Sequence, residues 1–199
     1  MPTERFLKLN PSKKILIEHA LIKEMMKHPY EHINLSNVIR ESNISRGSFY
    51  QYFINKNDFY FYILNQLGQI KSSYMDIVFL QDESISFTQK LKHILEASIT
   101  FSKAHSKYVS IGLQLYSSTH KEMKDYTSKT KYEMYALLKT WIDQDKRYQT
   151  MKDKDDVIHY IADTMIYLTQ YTLKFNDINQ LENHLSIFIK LLEGGLQHV

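Results

Sequence analysis

Apolar residues recur at helical spacing along almost the whole of this chain, and short polar stretches interrupt them. Asn10 is placed to cap a first helix, with Pro11 at its first position, running to about His28. Its apolar set is Ile15, Leu16, Ala20, Ile22, Met25 and Met26. Pro29 ends it, and Tyr30 is expected to pack under the turn. Asn34 caps a second helix, Leu35 to Ser42, with Leu35, Val38 and Ile39 inward. Asn43 falls where a tight turn needs left-handed backbone, which Asn accepts more readily than most residues. Ser45 then caps a third helix, Arg46 to Tyr52, with Ile44, Phe49 and Phe53 directed to the core. Asn55 caps a long fourth helix, expected to reach Phe79, with Asp58 near its positive end. Five more helices are expected at about 86–104, 107–117, 120–146, 154–175 and 178–196.

Composition narrows the class. All three prolines lie in the first 29 residues and only five glycines occur in 199, so nothing after Pro29 forces a break. The expected fold is all-α with about nine helices. A three-helix helix-turn-helix head (1–58) is joined by a long helix to a C-terminal helical bundle (59–199). The absence of cysteine excludes disulfides, thiol nucleophiles and thiolate metal sites. No apolar run is long enough to span a membrane, and the N-terminus lacks a signal-peptide core, so a cytoplasmic protein is expected. Charge is unevenly placed. Residues 1–58 hold nine basic against six acidic residues, whereas the rest balances at sixteen of each. The whole excess of positive charge therefore sits in the head, as a polyanion-binding element requires.

The third helix has the chemistry of a DNA reader. Arg46 can meet guanine O6 and N7 with two bonds, Gly47 adds no bulk, and Ser48 can bond a base edge or a phosphate. Tyr50 and Gln51 face outward, and Tyr52 lies nearer the flank, where a tyrosine hydroxyl would meet phosphate oxygens. Ser45 opens this helix, and Lys56 enters the next, where its charge and the helix N-terminus suit a phosphate. Asn34 and Ser36 can do the same at the start of the second helix. An ordinary solvated face would carry Lys and Glu rather than Gly and exposed Tyr.

The segment Lys14 to Leu64 resembles the DNA-binding head of the TetR/AcrR family of transcriptional repressors. The likeness rests on ILIEHALIKEMM, Tyr30, NLSNVIRESNIS and RGSFYQYF followed two residues later by Lys56. The family's small–aromatic–Tyr–x–x–Phe–x–x–Lys pattern falls on Ser48, Phe49, Tyr50, Phe53 and Lys56. The resemblance implies that Tyr50 and Lys56 contact phosphate and that Arg46, Gly47 and Ser48 lie nearest the bases. Three positions depart from the pattern: Pro29 and Asn43 stand where glycines are usual, and Ile39 where a small residue is usual. They bear on the angle between the two helices of the motif. The resemblance also implies a homodimer on a pseudo-palindromic double-stranded operator, with a small-molecule effector held in the C-terminal helices.

Two apolar stripes in the last helices suit such a dimer. Ile158, Ile161 and Met165 belong to one, and Leu181, Leu185, Phe188 and Leu192 to the other. Aromatics are dense in residues 59–199, and Phe101, Tyr108, Tyr116, Trp141, Met165 and Tyr171 are candidates to line an effector pocket. Tyr and Trp pair an apolar wall with a polar tip, which suits a lipophilic, aromatic or cationic ligand. Other chemistry finds little support. His28 and His32 are separated by Pro29, and Asp153, Asp155 and Asp156 lack the rest of a calcium loop. His159 and Asp163 lie one turn apart with no nucleophile beside them. Neither an enzyme nor a cofactor is expected. The alternative reading is a helical adaptor or co-activator that works through a protein partner.

Overall fold

The computed structural model describes residues 1–175 and 178–195, apart from the side chains of residues 169, 171–175, 178, 179 and 181. Among the described residues the chain forms eleven α-helices and no strand. They are α1 (Glu4–Leu7), α2 (Pro11–Lys27), α3 (Leu35–Glu41), α4 (Arg46–Tyr52), α5 (Lys56–Ser72), α6 (Ile77–Gln81), α7 (Phe87–Ala104), α8 (Ser106–Ser117), α9 (Lys121–Gln144), α10 (Lys154–Phe175) and α11 (Ile178–Gly195). Single 3₁₀ turns occupy Tyr30–His32 and Lys146–Tyr148. None of the described helices is long and apolar enough to cross a membrane.

The chain packs as two compact units. The first takes Met1–Ser72 and Lys107–Met123, and the second takes Ser73–Ser106 and the chain from Lys124 onward. The unit holding the head is thus larger than residues 1–58: it includes α5, nearly all of α8 and the start of α9.

Local capping starts the helices of the first unit where polar residues with short side chains precede them. Asn10, Asn34 and Ser45 each accept a backbone N–H from the first turn of α2, α3 and α4. Asn55 accepts from Asp58 N at 3.0 Å, and Asp58 reaches back to Ile54 N at 3.0 Å. Asn43 takes a φ of 50°, the left-handed conformation that the turn between α3 and α4 requires. Beneath these helices lie Phe6, Ile17, Leu21, Met25, Val38, Phe49, Phe53, Phe59 and Ile63, all fully buried.

Several expectations need correction here. In α2 the buried stripe is Ile17, Ala20, Leu21 and Met25, while Ile15 and Leu16 point to solvent. α2 is apolar on two faces, and α5 packs against one of them. The fourth helix ends at Ser72 rather than Phe79. Ser72 Oγ bonds the Gln69 carbonyl at 2.9 Å, and Asp76 opens a separate helix by accepting from Phe79 N at 3.0 Å. α1 lies outside the expected elements: Thr3 caps it by accepting from Phe6 N at 3.5 Å, but a helix of four residues holds only because Phe6 enters the core.

The second unit is built round Phe87, Leu91, Leu95, Leu138, Trp141, Ile142, Ile158, Ile161, Ala162, Leu185 and Phe188. A capping box, Ser86 with Gln89, starts α7. Asp145 ties the end of α9 to α7 by accepting from Phe87 N at 2.8 Å.

The turn at Asn43 gives a direct test of the head's local geometry. Asn43→Gly is expected to hold stability within a few tenths of a kcal/mol. Asn43→Val is expected to lose about 1–2 kcal/mol, read by urea denaturation.

Candidate nucleic-acid interface

α4 has two faces with opposite fates. Phe49 and Phe53, one turn apart, are fully buried and stand in edge or tilted contact with Phe59, at 5.9 and 6.1 Å between ring centroids. That anchorage turns Gly47 and Gln51 to solvent with Tyr50 on the flank, 44% exposed, and Arg46 is exposed at the open first turn. The Arg46 guanidinium lies 5.8 Å from the centre of the Tyr50 ring, as side chains four apart on a helix allow. The Ser45 and Ser48 hydroxyls bond each other at 2.9 Å, and Ser48 is half-buried. Asn34 and Ser36 are exposed at the start of α3, although the Asn34 carboxamide is used in capping Ser36 N.

Two expected contact residues have other surroundings. Tyr52 is 5% exposed and packs against Phe6, 6.0 Å between centroids. It belongs to the core, because α1 covers the flank on which it lies. Lys56 is half-buried. Its ammonium sits 4.3 Å from the Tyr30 ring centre and donates to the Glu31 carbonyl at 3.5 Å, and burial lowers its pKa.

Gly47 has no packing reason to be glycine. A Cβ there would meet only Ser45 Oγ, at an ordinary 3.8 Å. Glycine in a helix costs up to about 1 kcal/mol relative to alanine, and no packing within the described residues offsets that cost.

Behind α4, a polar cluster joins the head to the corner between α8 and α9. The Glu31 carboxylate accepts from Ser118 Oγ at 2.6 Å, Thr119 N at 2.5 Å and Thr119 Oγ1 at 2.6 Å. Asn57, second in α5, accepts from the Tyr30 hydroxyl and donates to the Glu122 carboxylate. His120 packs its ring on Tyr30, 4.5 Å between centroids. Sequence patterns gave no signal for this cluster, since its two halves lie about 90 residues apart. Burial works against ionisation of Glu31, yet the bonds from Ser118 and Thr119 prevail and bring its pKa down to about 2.

The effector candidates are not brought together within one unit. Tyr108 and Tyr116 fall in the first unit, and Phe101, Trp141 and Met165 in the second. Trp141 and Met165 are buried in the second unit's core, and Phe101 packs on Tyr74 and His105. Tyr116 is exposed. The side chains of Tyr171 and Leu181 lie outside those described. The dimer candidates Ile158, Ile161, Met165, Leu185 and Phe188 are buried inside the protomer, and Leu192 packs against the same core. The protomer's own core takes up this stripe, and α10 and α11 carry further large side chains on a second face. That face bears Tyr160, Tyr167, Ile187 and Leu191, all largely exposed. His159 and Asp163 do not converge. The His159 ring stacks on Tyr135 at 4.2 Å, and Asp163 pairs with Lys131 at 2.5 Å. Among the described residues no cluster of three metal-binding side chains occurs.

An all-helical chain whose helix-turn-helix leads into a larger helical body defines the TetR-like class of fold. Two solved structures share it. One is a TetR family transcriptional regulator from Chloroflexus aurantiacus, with a TM-score of 0.63 and 18% identity over 100% of this chain and 97% of that one. The other is a TetR-like transcriptional regulator from Rhodococcus sp. RHA1, with a TM-score of 0.72 and 11% identity over 94% of this chain and 100% of that one. No family model matches the chain, and no curated protein matches it.

The Glu31 cluster carries a pH signature. A carboxylate held below its ordinary 4.5 stabilises the fold above that value and ceases to as pH falls toward about 2. Unfolding midpoints should drop across that window, and Glu31→Gln should flatten the drop, as thermal melts at stepped pH will read.

Proposed function

We propose that this protein is a homodimeric DNA-binding transcriptional repressor of the TetR type, acting in the cytoplasm. It holds a pseudo-palindromic operator and is released by a small lipophilic or aromatic molecule. The observation that carries the reading is α4 itself: a short helix held by buried Phe49 and Phe53 that leaves Arg46, Gly47, Tyr50 and Gln51 exposed. Arg46 reads guanine, Tyr50 bonds phosphate, and Gly47 lets the helix backbone approach the groove. Asn34, Ser36, Ser45 and Ser48 contribute backbone contacts, and Lys56 reaches a phosphate with the ammonium hydrogens that Glu31 does not use. The excess positive charge of residues 1–58 supports the same partner.

Dimerisation follows from the outward stripes of the last two helices. Tyr160 and Tyr167 on α10 and Ile187 and Leu191 on α11 recur every seven or four residues, the spacing of one helix face. Two such faces related by a two-fold axis bury each other and set the separation of two heads on successive major grooves. The effector binds the second unit and acts through α9, which starts beside Glu31 and continues into that unit. It releases DNA only by favouring the arrangement that binds DNA less well.

Three outcomes are expected. Gly47→Ala should raise unfolding stability by up to about 1 kcal/mol while weakening binding to the protein's selected duplex. Stability and binding that moved together would remove the reason given for Gly47. Arg46→Ala should cost about 1–3 kcal/mol of discrimination and relax preference at one base position, read by electrophoretic shift. Leu191→Glu with Ile187→Glu should give monomers by sedimentation and reduce operator affinity. Dimers persisting with unchanged affinity would place the interface elsewhere.

A further inference from the structure

The segment before α2 is fastened to the end of the recognition helix. Thr3 donates its backbone N–H to the Tyr52 carbonyl at 2.9 Å and its hydroxyl to the Gln51 carbonyl at 2.7 Å. These are among the last carbonyls of α4, which lack partners inside the helix. Phe6 is fully buried, with its ring centroid 4.7 Å from Phe53 and 5.3 Å from Tyr62. Pro2 is buried as well. A seven-residue helix cannot hold its shape unaided, so this strap fixes where the far end of α4 lies.

The strap also carries charge. Lys8 pairs with Glu4 at 2.9 Å, but Arg5 is exposed and has no hydrogen-bond or ion-pair partner among the described residues. Arg5 stands two residues beyond Thr3, within about 6 Å along the backbone of the point where the strap touches α4. An unpaired guanidinium beside a groove-reading helix is suited to a phosphate oxygen, which it can meet with two bonds.

We propose that residues 2–8 form a second DNA-contacting element, resting on the DNA-binding reading above. Thr3 and Phe6 act as positioning residues for α4, and Arg5 holds a backbone phosphate flanking the bases that α4 reads. The two roles predict different behaviour. A phosphate contact strengthens every sequence alike and adds about one to the salt dependence of binding. A positioning contact affects only the sequence that the helix is positioned to read.

The test uses the full chain and the duplex it selects from a random-sequence pool, with a scrambled duplex as the comparison. Arg5→Ala is expected to weaken both duplexes about three- to tenfold, lower the salt slope by about one per protomer (about two for the dimer), and remove one phosphate per half-site from an ethylation-interference footprint. Thr3→Val, which keeps the backbone N–H, is expected to relax base preference at the selected site and leave the salt slope unchanged. If Arg5→Ala changes neither slope nor footprint while Arg46→Ala still relaxes preference at one base position, the Arg5 contact is overturned and the DNA reading stands. If Thr3→Val leaves base preference intact, the positioning role is overturned. If the unmodified chain binds neither duplex, both the strap proposal and the reading beneath it fall.

Discussion

The aromatic cluster beneath α4 is the constraint on which the rest of the head depends. Seven residues form too short a helix to persist on their own, so beyond its Ser45 cap and the Thr3 bonds at its far end α4 depends on its apolar anchors. Phe49 and Phe53 supply those anchors, locked against Phe59 and Phe6 with centroid separations of 4.7–6.1 Å. Because a helix turns 100° per residue, burying Phe49 and Phe53 puts positions 47 and 51 on the far side and 50 on the flank, while Arg46 is exposed because it opens the helix in its first turn. The surface that α4 exposes is therefore set in part by the core beneath it.

A second dependence runs in the opposite direction, from the α8–α9 corner into the head. Glu31 is the hub: three donors from Ser118 and Thr119 meet its carboxylate, and Lys56 donates to its carbonyl. Asn57 repeats the connection one residue into α5, between Tyr30 and Glu122. A carboxylate that accepts several short bonds is held ionised and fixed in place. Lys56 and the turn after α2 are thereby tied to the corner from which α9 departs.

Much of the head was legible in the sequence because its signals are local. Asn10, Asn34, Ser45 and Asn55 announce helix starts within three residues of where they act, and Asn43 announces left-handed backbone by its own nature. What escaped was set by distant partners. α1 exists because Phe6 meets residues more than forty positions away, and that contact is also what buries Tyr52. Ser72 and Asp76 divide the expected long helix, a competition between back-bonding and capping that apolar spacing does not reveal. In α10 and α11 both faces are apolar. Periodicity finds the stripe of Ile158, Ile161, Leu185 and Phe188 but not which side the protomer's own core takes. The dispersal of the aromatic candidates over two units has the same origin, since density of Tyr and Phe carries no information on where rings converge.

The central claim is that the outward face of α4 meets duplex DNA. Amide chemical-shift mapping of the isotopically labelled full chain, titrated with the duplex it selects, tests this most directly. The account predicts the largest shifts at residues 34–36, 45–51 and 56, with the buried amides of Phe49 and Phe53 following more weakly. Shifts confined to α10 and α11, or none at saturating DNA, would contradict it.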